Sequence, residues 1–178
     1  ERAYERAAYF GYGSTGVYED IHGVSDPVRA VRDWVAGPYH RKPILTPGNY
    51  EMGFGASGKY SALVMGLNER VDQFVVYPAP GEKEVPTSWN GRERPAPLRL
   101  YLDVTPPVGY VISLQYGGVT RSLTLDRAEL VDEVGREIPL LEFSPEFDEH
   151  LSNMGFVIPV EPLEKGTTYT VTMEGMLD

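Results

Sequence analysis

Few side chains of this 178-residue chain could bind a transition metal, because it contains three histidines and no cysteine. Glu19 and His40 form the first candidate pair, since a carboxylate and an imidazole are both suitable ligands for a divalent ion such as zinc. With His22 as a third neighbour, the set would approach the three-ligand pattern of catalytic zinc sites. His150 lies in an acidic run, so we expect it at the surface. These residues predict a metal site at Glu19, His22 and His40.

A structural interpretation of the same residues stays open. His40 follows a predicted helix and could bond a backbone carbonyl or interact favourably with the helix C-terminus. Glu19 could hold a loop by accepting backbone N–H bonds, and His22 could simply be exposed. Arg41 is expected to pair with Glu19 or Asp20 in preference to clamping a substrate. The sequence leaves the functional and structural interpretations side by side.

Other catalytic constellations find no support in the residues. The sequence contains no cysteine nucleophile, no G-x-S-x-G elbow, no Walker lysine loop and no H-E-x-x-H pair. A glycine-rich run at 11–16 matches G-x-G-x-x-G superficially, but no strong strand precedes it and no proper helix follows it. The absence of these motifs favours a binding protein over an enzyme.

Composition and charge narrow the choice of partner. The net charge is −10, which argues against a nucleic-acid backbone or an anionic lipid surface as the main partner. Residues 1–80 carry 8 basic and 9 acidic side chains, whereas residues 81–178 carry 8 and 17, so the two halves differ in kind. No apolar run approaches the roughly 20 residues of a membrane span, so we predict none.

The elements that must position the candidate residues lie between residues 26 and 55. Asp26 can cap a helix, and Pro27 fits its first turn. Three valines at helical spacing predict its buried face, with a tryptophan on the neighbouring rim; they are Val28, Val31 and Val35, with Trp34 beside them. Gly37 and Pro38 should end this helix. We then expect an irregular path containing His40, followed by a glycine-rich strand at 50–55.

The pattern of residues changes in the second half of the chain. Residues 59–67 and 74–77 read as strands of the first domain, and the segment 79–97 is proline-rich and charged, which predicts a stiff connector. Six short strands follow, predicted at 98–104, 110–116, 122–131, 137–143, 155–159 and 168–174. Their spacing is typical of an all-β sandwich.

Two longer motifs resemble a known family. The run W-x-x-x-P-Y-H-R-x-x-I-L-x-P at 34–47, followed by x-M-G-F-G at 51–55, resembles the bacterial branch of the CAP superfamily, as does the Glu-bearing stretch at 18–21. The resemblance implies an α-β-α sandwich with a cleft of paired His and Glu side chains. The close of the chain, at 159–175, resembles the last strands of bacterial Ig-like domains, which often follow CAP modules.

The resemblance implies an α+β chain of three parts. They are the later part of a CAP-like α-β-α sandwich at 1–78, the connector at 79–97 and an all-β Ig-like sandwich at 98–178. The chain begins at Glu1 without methionine, so we expect it to belong to a longer product that also contains the first CAP helix and a further histidine. That missing N-terminal part is itself a candidate partner.

Three functions follow as hypotheses. The favoured one is a secreted or cell-surface protein that binds an extracellular or cell-wall ligand through its cleft without catalysis. The binding residues are then Glu19, Tyr39, His40 and Arg41, and the tyrosine suits a sugar ring because it presents a flat apolar face with a polar end. The second is a metal-dependent hydrolase acting on cell-wall or peptide material, with a zinc-like ion activating water. The third is a purely structural surface-layer module.

Overall fold

The chain is a mixed α+β protein. Its computed structural model describes residues 2–67, 69–118 and 122–178, with all their side chains except that of Tyr50. The helices are α1 (Ala3–Tyr9), α2 (Pro27–Ala36) and α3 (Pro38–Leu45), with a 3-10 helix at Pro97–Leu100. The strands are β1 (Val17–His22), β2 (Asn49–Ser57), β3 (Tyr60–Leu67), β4 (Phe74–Tyr77), β5 (Ile112–Tyr116), β6 (Leu123–Asp132), β7 (Leu140–Phe143), β8 (Met154–Pro159) and β9 (Tyr169–Leu177).

The first sheet is antiparallel, with the strand order β1-β3-β2. β2 and β3 form a hairpin, in which Ser57 lies opposite Tyr60 and Gly58 takes the positive φ of 57° that the turn requires. The sheet and the helices α2 and α3 share a small core, which consists of Ala30, Trp34, Leu63 and Met65 with Ile44 packed against it. This core packs α2 and α3 against β3.

Local signals for α2 are confirmed, but its predicted buried face is wrong. Asp26 caps the helix by accepting a hydrogen bond from the Arg29 N–H at 2.7 Å, and Pro27 occupies the first turn. The valine face is open, however, and Val28 is 66% exposed. Ala30 and Trp34 face the sheet instead, since they form a second stripe at i, i+4 and the larger indole buries more apolar area.

The irregular path expected after Gly37 is instead a helix. Gly37 ends α2 and also precedes α3, which begins at Pro38, where a missing N–H costs no helical hydrogen bond. Pro43 lies inside α3, which ends at Leu45. His40 therefore lies in the first turn of α3 and not in an irregular segment after α2.

The second half folds into two packed sheets. One has the order β4-β5-β8-β7, and the other pairs β6 with β9. Their contact surface contains buried side chains from β5, β6 and β8, namely Ile112, Leu125, Leu130 and Val157. The predicted strands at 110–116, 122–131, 137–143, 155–159 and 168–174 correspond to β5 through β9 and are confirmed.

The strand predicted at 98–104 is wrong. A 3-10 helix begins the segment, and no strand of the described chain lies in it. Leu98, Tyr101 and Val104 all pack against the large core, so the apolar period is three and not two. Tyr101 also accepts a hydrogen bond from the Glu142 N–H at 3.1 Å, which holds the turn against β7.

Contacts join the parts that the sequence analysis separates. β4, predicted with the first domain, pairs with β5 of the second sheet. Trp89 of the connector is 4% exposed and forms a β-bridge with Val108, and Tyr39 of α3 packs against the same large core. The boundaries at 78 and 97 stay predictions, but the connector is packed against both halves. Among the described helices, none is long and apolar enough to cross a membrane.

Candidate functional site

A cleft of about 490 Å³ lies where β1, α2, α3 and the connector meet. Its lining includes both sequence-predicted histidines of the first half and a buried tryptophan. The lining residues are Ile21, His22, Gly23, Asp33, Trp34, His40, Gly91, Arg92, Glu93 and Arg94. β1 supplies His22, α2 supplies Trp34 and Asp33, and the first turn of α3 supplies His40. The connector closes the opposite wall, so the cleft needs both halves of the chain.

Glu93 is the central contact of this cleft. Its buried carboxylate lies at the N-terminus of α3, where Oε1 accepts hydrogen bonds from the Tyr39 N–H at 2.8 Å and the His40 N–H at 2.9 Å. A carboxylate is favourable there because the first N–H groups of a helix have no helical acceptor and the helix dipole is positive. Gly37 makes room for it, since a Cβ at this position would lie 2.8 Å from Oε1. Glu93 is therefore a cap supplied from the connector.

The same carboxylate orients the imidazole of His40. Oε1 of Glu93 lies 2.9 Å from His40 Nδ1, so a proton on Nδ1 is shared with a buried acceptor. The hydrogen bond that His40 donates to Glu93 raises the pKa of His40, against the opposing effect of burial, and the charges of Glu93 and Asp20 raise it further. Nε2 has no hydrogen-bond partner within residues 2–67, 69–118 and 122–178, and it is not buried. Nε2 is thus the ring nitrogen available to a ligand.

Asp20 is a second buried carboxylate beside His40. It lies opposite Leu63 in the register of β1 and β3, so it faces the helices, and it is 5% exposed. Burial is the largest cause that raises its pKa, to about 7 from an ordinary value of 3.8, while the charge of His40 opposes the shift. Its Oδ2 atom has no hydrogen-bond partner in the described structure. A strongly shifted carboxyl group next to a cleft is a frequent property of functional sites.

Three further polar atoms around the cleft are buried without a partner in the described residues. They are Nδ1 of His22, Nε1 of Trp34 and Oε2 of Glu93. His22 places its Nε2 atom 3.2 Å from Oδ2 of Asp33, and its ring meets the Trp34 ring edge to face at 5.9 Å. Buried polar groups are normally paired, because leaving one unpaired costs about 1–3 kcal/mol. Their concentration at one cleft indicates a place where a bound molecule or water supplies the missing partners.

Glu19 does not join this arrangement. Side chains alternate along a strand, so Glu19 projects from the face of β1 opposite to Asp20 and His22. There it pairs with Arg6 of the helix α1, and it is absent from the lining of the cleft. The predicted binding role of Glu19 therefore has no counterpart in this geometry.

The predicted metal ligands do not fit a three-ligand site. No group of three or more His, Asp or Glu side chains in the described ranges is placed to hold a metal ion. His22 and His40 line one cleft, but each already contacts a carboxylate, and Glu19 lies on the other face of the sheet. The orphaned Nδ1 of His22 and the open Nε2 of His40 are two nitrogen donors at most. The zinc site at Glu19, His22 and His40 is not formed.

Arg41 is buried away from the cleft. Its guanidinium is 0% exposed and donates to the carbonyl of Val35 at 2.6 Å and to the carbonyl of Val111 at 2.9 Å. It also lies 4.6 Å from the centre of the Tyr77 ring, a cation–π distance. Burial lowers the pKa of Arg41. The expected ion pair with Glu19 or Asp20 is replaced by carbonyl and ring contacts, which join the end of α2 to β5.

Tyr39 likewise turns away from the cleft. Its hydroxyl donates to the buried carboxylate of Asp148 and accepts from Arg99 at 3.1 Å, and Arg99 in turn pairs with Asp148 at 2.8 Å. Burial and the Asp148 contact raise the pKa of Tyr39. His150 is exposed, as expected, and lies edge-on to the Tyr39 ring at 5.6 Å. The contacts of Tyr39 with Asp148 and Arg99 hold α3 against the second half of the chain, so this cluster has a structural role.

Sequence reasoning missed the connector as a part of the site. Glu93 lies 53 residues after His40, inside a segment whose prolines and charges predict a spacer. The only signal was the isolated Trp89 just before it, since a lone tryptophan in a polar stretch is a common anchor to a core. Comparisons with protein-family models, with curated proteins and with solved structures found no match to this chain, so the cleft must be understood from its own geometry.

Proposed function

We propose that this chain is a secreted or cell-surface binding protein that takes up an extracellular or cell-wall ligand in the cleft around His40, without catalysis. The observation that carries the proposal is the convergence of unpartnered buried polar atoms on one cleft. Trp34 offers a donor, Glu93 offers an acceptor, and His22 offers a ring nitrogen of either kind. These are the groups that fix the orientation of a ligand in a largely preformed site.

The non-catalytic assignment is supported by the composition of the cleft. The lining contains no Ser, Thr or Lys side chain among the described residues, so the described wall has none of these nucleophiles. Asp33, one of the two carboxylates in the lining, contacts His22 and Arg29, and Glu93 caps a helix. Both carboxylates of the lining are therefore held by contacts within the protein, which suits them to recognition.

The wider proposal is a CAP-like domain followed by an Ig-like domain. It is supported by a three-stranded antiparallel sheet with helices packed on it in the first half, and by two packed sheets in the second. In this proposal Glu93, from the stretch between the two domains, completes the cleft of the first. The connector then serves as more than a spacer.

A hydrolase is the second candidate, favoured by one specific observation. A histidine whose Nδ1 contacts a carboxylate while Nε2 is open has the geometry of a general base. Water would then be the nucleophile, and His40 would accept its proton at Nε2. The metal-dependent form of this hypothesis has no fitting set of ligands among the described residues, so this candidate uses His40 and water alone.

The three histidines make a direct test, because each gives one set of imidazole signals in NMR spectra. His22 and His40 line the cleft, and His150 lies outside it as an internal reference. The protein should be titrated with soluble peptidoglycan fragments, neutral oligosaccharides and short peptides. We expect one class to shift the signals of His22 and His40 in a saturable way and to leave those of His150 unchanged.

Variants separate the candidates. His40→Ala should abolish binding of the active fragment, whereas His150→Ala should preserve it. If no fragment shifts the NMR signals of His22 or His40 at millimolar concentration, the binding proposal is wrong. That result would favour the hypothesis of a purely structural module. If mass spectrometry finds fragments cleaved by the wild type and intact with His40→Ala, the hydrolase replaces the binding protein.

A further inference from the structure

Two arginines on the connector wall of the cleft point to the chemistry of its ligand. Arg92 and Arg94 flank Glu93 in sequence, both line the cleft, and both are exposed. Neither forms an ion pair with an acidic side chain of the described chain. An arginine side chain carries a permanent charge and five donors in a planar fork. The guanidinium groups of Arg92 and Arg94 are therefore available to a hydrogen-bond acceptor of a ligand.

The two acidic groups of the lining contact residues other than these arginines. Glu93 contacts Nδ1 of His40 at 2.9 Å through Oε1, the same oxygen that caps the helix α3. Asp33 is shared between His22 at 3.2 Å and Arg29 at 3.7 Å. Asp20 is buried behind the cleft and is not part of its lining. Both carboxylates of the lining thus have partners elsewhere, and the two guanidinium groups are the charged groups of the lining that have no ion-pair partner in the described residues.

A buried donor adds an independent indication. Trp34 is 2% exposed and lines the cleft, and its Nε1–H group has no acceptor in the described structure. An indole nitrogen can only donate, so the group that satisfies it must bring an oxygen or another acceptor. His40 lines the same cleft, and its Nε2 atom has no hydrogen-bond partner in the described residues. The lining of this one cleft thus includes four residues whose side chains can donate, Trp34, His40, Arg92 and Arg94.

We propose that the ligand of this cleft carries an oxyanion, a carboxylate or a phosphate group, which Arg92 and Arg94 bind and to which Trp34 donates. The inference rests on the proposed binding function and narrows its ligand to an acidic class. A guanidinium group can form a bidentate pair of hydrogen bonds with a carboxylate or a phosphate group. Such charge-assisted hydrogen bonds are stronger than hydrogen bonds between neutral groups. A neutral sugar would leave both guanidinium groups without a counter-charge.

Inorganic phosphate and acetate serve as probes, with acetamide as the uncharged match for acetate. The full chain is titrated with each at pH 6.5, at constant ionic strength held with sodium chloride, while the histidine signals are followed by NMR. We expect phosphate or acetate to shift the signals of His22 and His40 in a saturable way, and acetamide not to do so. The stronger of the two probes identifies the oxyanion that the site prefers.

Variants assign the effect to the two arginines. Arg92→Ala and Arg94→Ala should each weaken oxyanion binding about tenfold, the scale of one lost charge-assisted hydrogen bond. Arg32→Ala removes the same charge from an exposed position on α2, outside the lining of this cleft, and should preserve binding. Unchanged affinity in the Arg92→Ala and Arg94→Ala double variant would overturn the assignment.

The outcomes also separate this inference from the function on which it rests. If neutral cell-wall fragments shift the cleft histidines and neither oxyanion does, the acidic-ligand inference is wrong and the binding function stands. If no compound shifts them, both are wrong. Equal responses to acetate and acetamide would likewise overturn the inference, because charge would then play no part in recognition.

Discussion

Replacing Asp20 with asparagine should make the folded protein less sensitive to rising pH. Asparagine has nearly the same shape as aspartate but carries no charge, so it fills the same space behind His40. In the wild type, Asp20 is 5% exposed and its Oδ2 atom has no hydrogen-bond partner in the described structure. The ionised form is therefore poorly solvated in the folded protein and well solvated in the unfolded chain.

The size of the effect follows from the raised pKa. Burial raises the pKa of Asp20 from 3.8 to about 7, so the folded state retains a proton that the unfolded state has lost. A group whose pKa is raised on folding contributes stability at low pH and loses it as the pH rises through the folded value. Between pH 5 and pH 8 the free energy of unfolding of the wild type should fall by about 3 kcal/mol relative to Asp20→Asn.

Urea denaturation at several pH values measures this difference. Unfolding of the wild type and of Asp20→Asn is followed by circular dichroism at pH 5, 6, 7 and 8, in buffers of equal ionic strength. The pair of His40 and Glu93 also loses stabilisation as pH rises through the raised pKa of His40. Glu93, the larger cause of that raised pKa, is present in both proteins, so the difference between their curves reports mainly on Asp20, including the smaller effect of its charge on His40.

Two results would refute the reasoning about Asp20. A constant difference between the curves from pH 5 to pH 8 would mean that the carboxylate ionises in the folded protein as freely as in water. A difference that grows in favour of the wild type as pH rises would mean that the charged form has a partner. Asp103→Asn, at an exposed position, is the matched control for the loss of one surface carboxylate and should not reproduce the trend.

Three further substitutions test the contacts of Glu93 and the exposed face of α2. Glu93→Gln should lower the pKa of His40, followed by NMR titration, because the carboxylate that raises it becomes neutral; a pKa that does not fall would contradict their contact. Gly37→Ala should destabilise the fold by about 1–3 kcal/mol in urea, since its Cβ would lie 2.8 Å from a Glu93 oxygen, whereas Gly13→Ala meets nothing within 4 Å. Val28→Ser should change stability by no more than about 0.5 kcal/mol, because Val28 is 66% exposed, and a loss above 2 kcal/mol would place it in a core.

Signals that act within a few residues could be read from the sequence. Asp26, Pro27 and Gly37 mark the two ends of α2, because capping and proline geometry depend on the neighbouring backbone. The strands β5 to β9 could likewise be predicted from turn residues and alternation. The candidate histidines His22 and His40 do share a cleft, as their grouping predicts.

The sequence could not show which of two possible faces of a helix or strand is buried. The valine stripe and the stripe of Ala30 and Trp34 both have helical spacing, and only the sheet decides which one is buried. The alternation of β1 separates Glu19 from His22, but this requires knowing that residues 17–22 are a strand. The grouping of Glu19 with the histidines failed for that reason.

The amino-acid sequence by itself determined which residue types are available for chemistry, namely a few histidines and no cysteine. It also determined where several helices and strands begin and end. The tertiary structure decided which residues meet. Glu93 reaches His40 across 53 residues because Trp89 anchors the connector to the large core, and the free N-terminus of α3 then attracts the nearby carboxylate. Such a contact depends on how distant segments pack, and no pattern within a few residues of His40 or Glu93 encodes it.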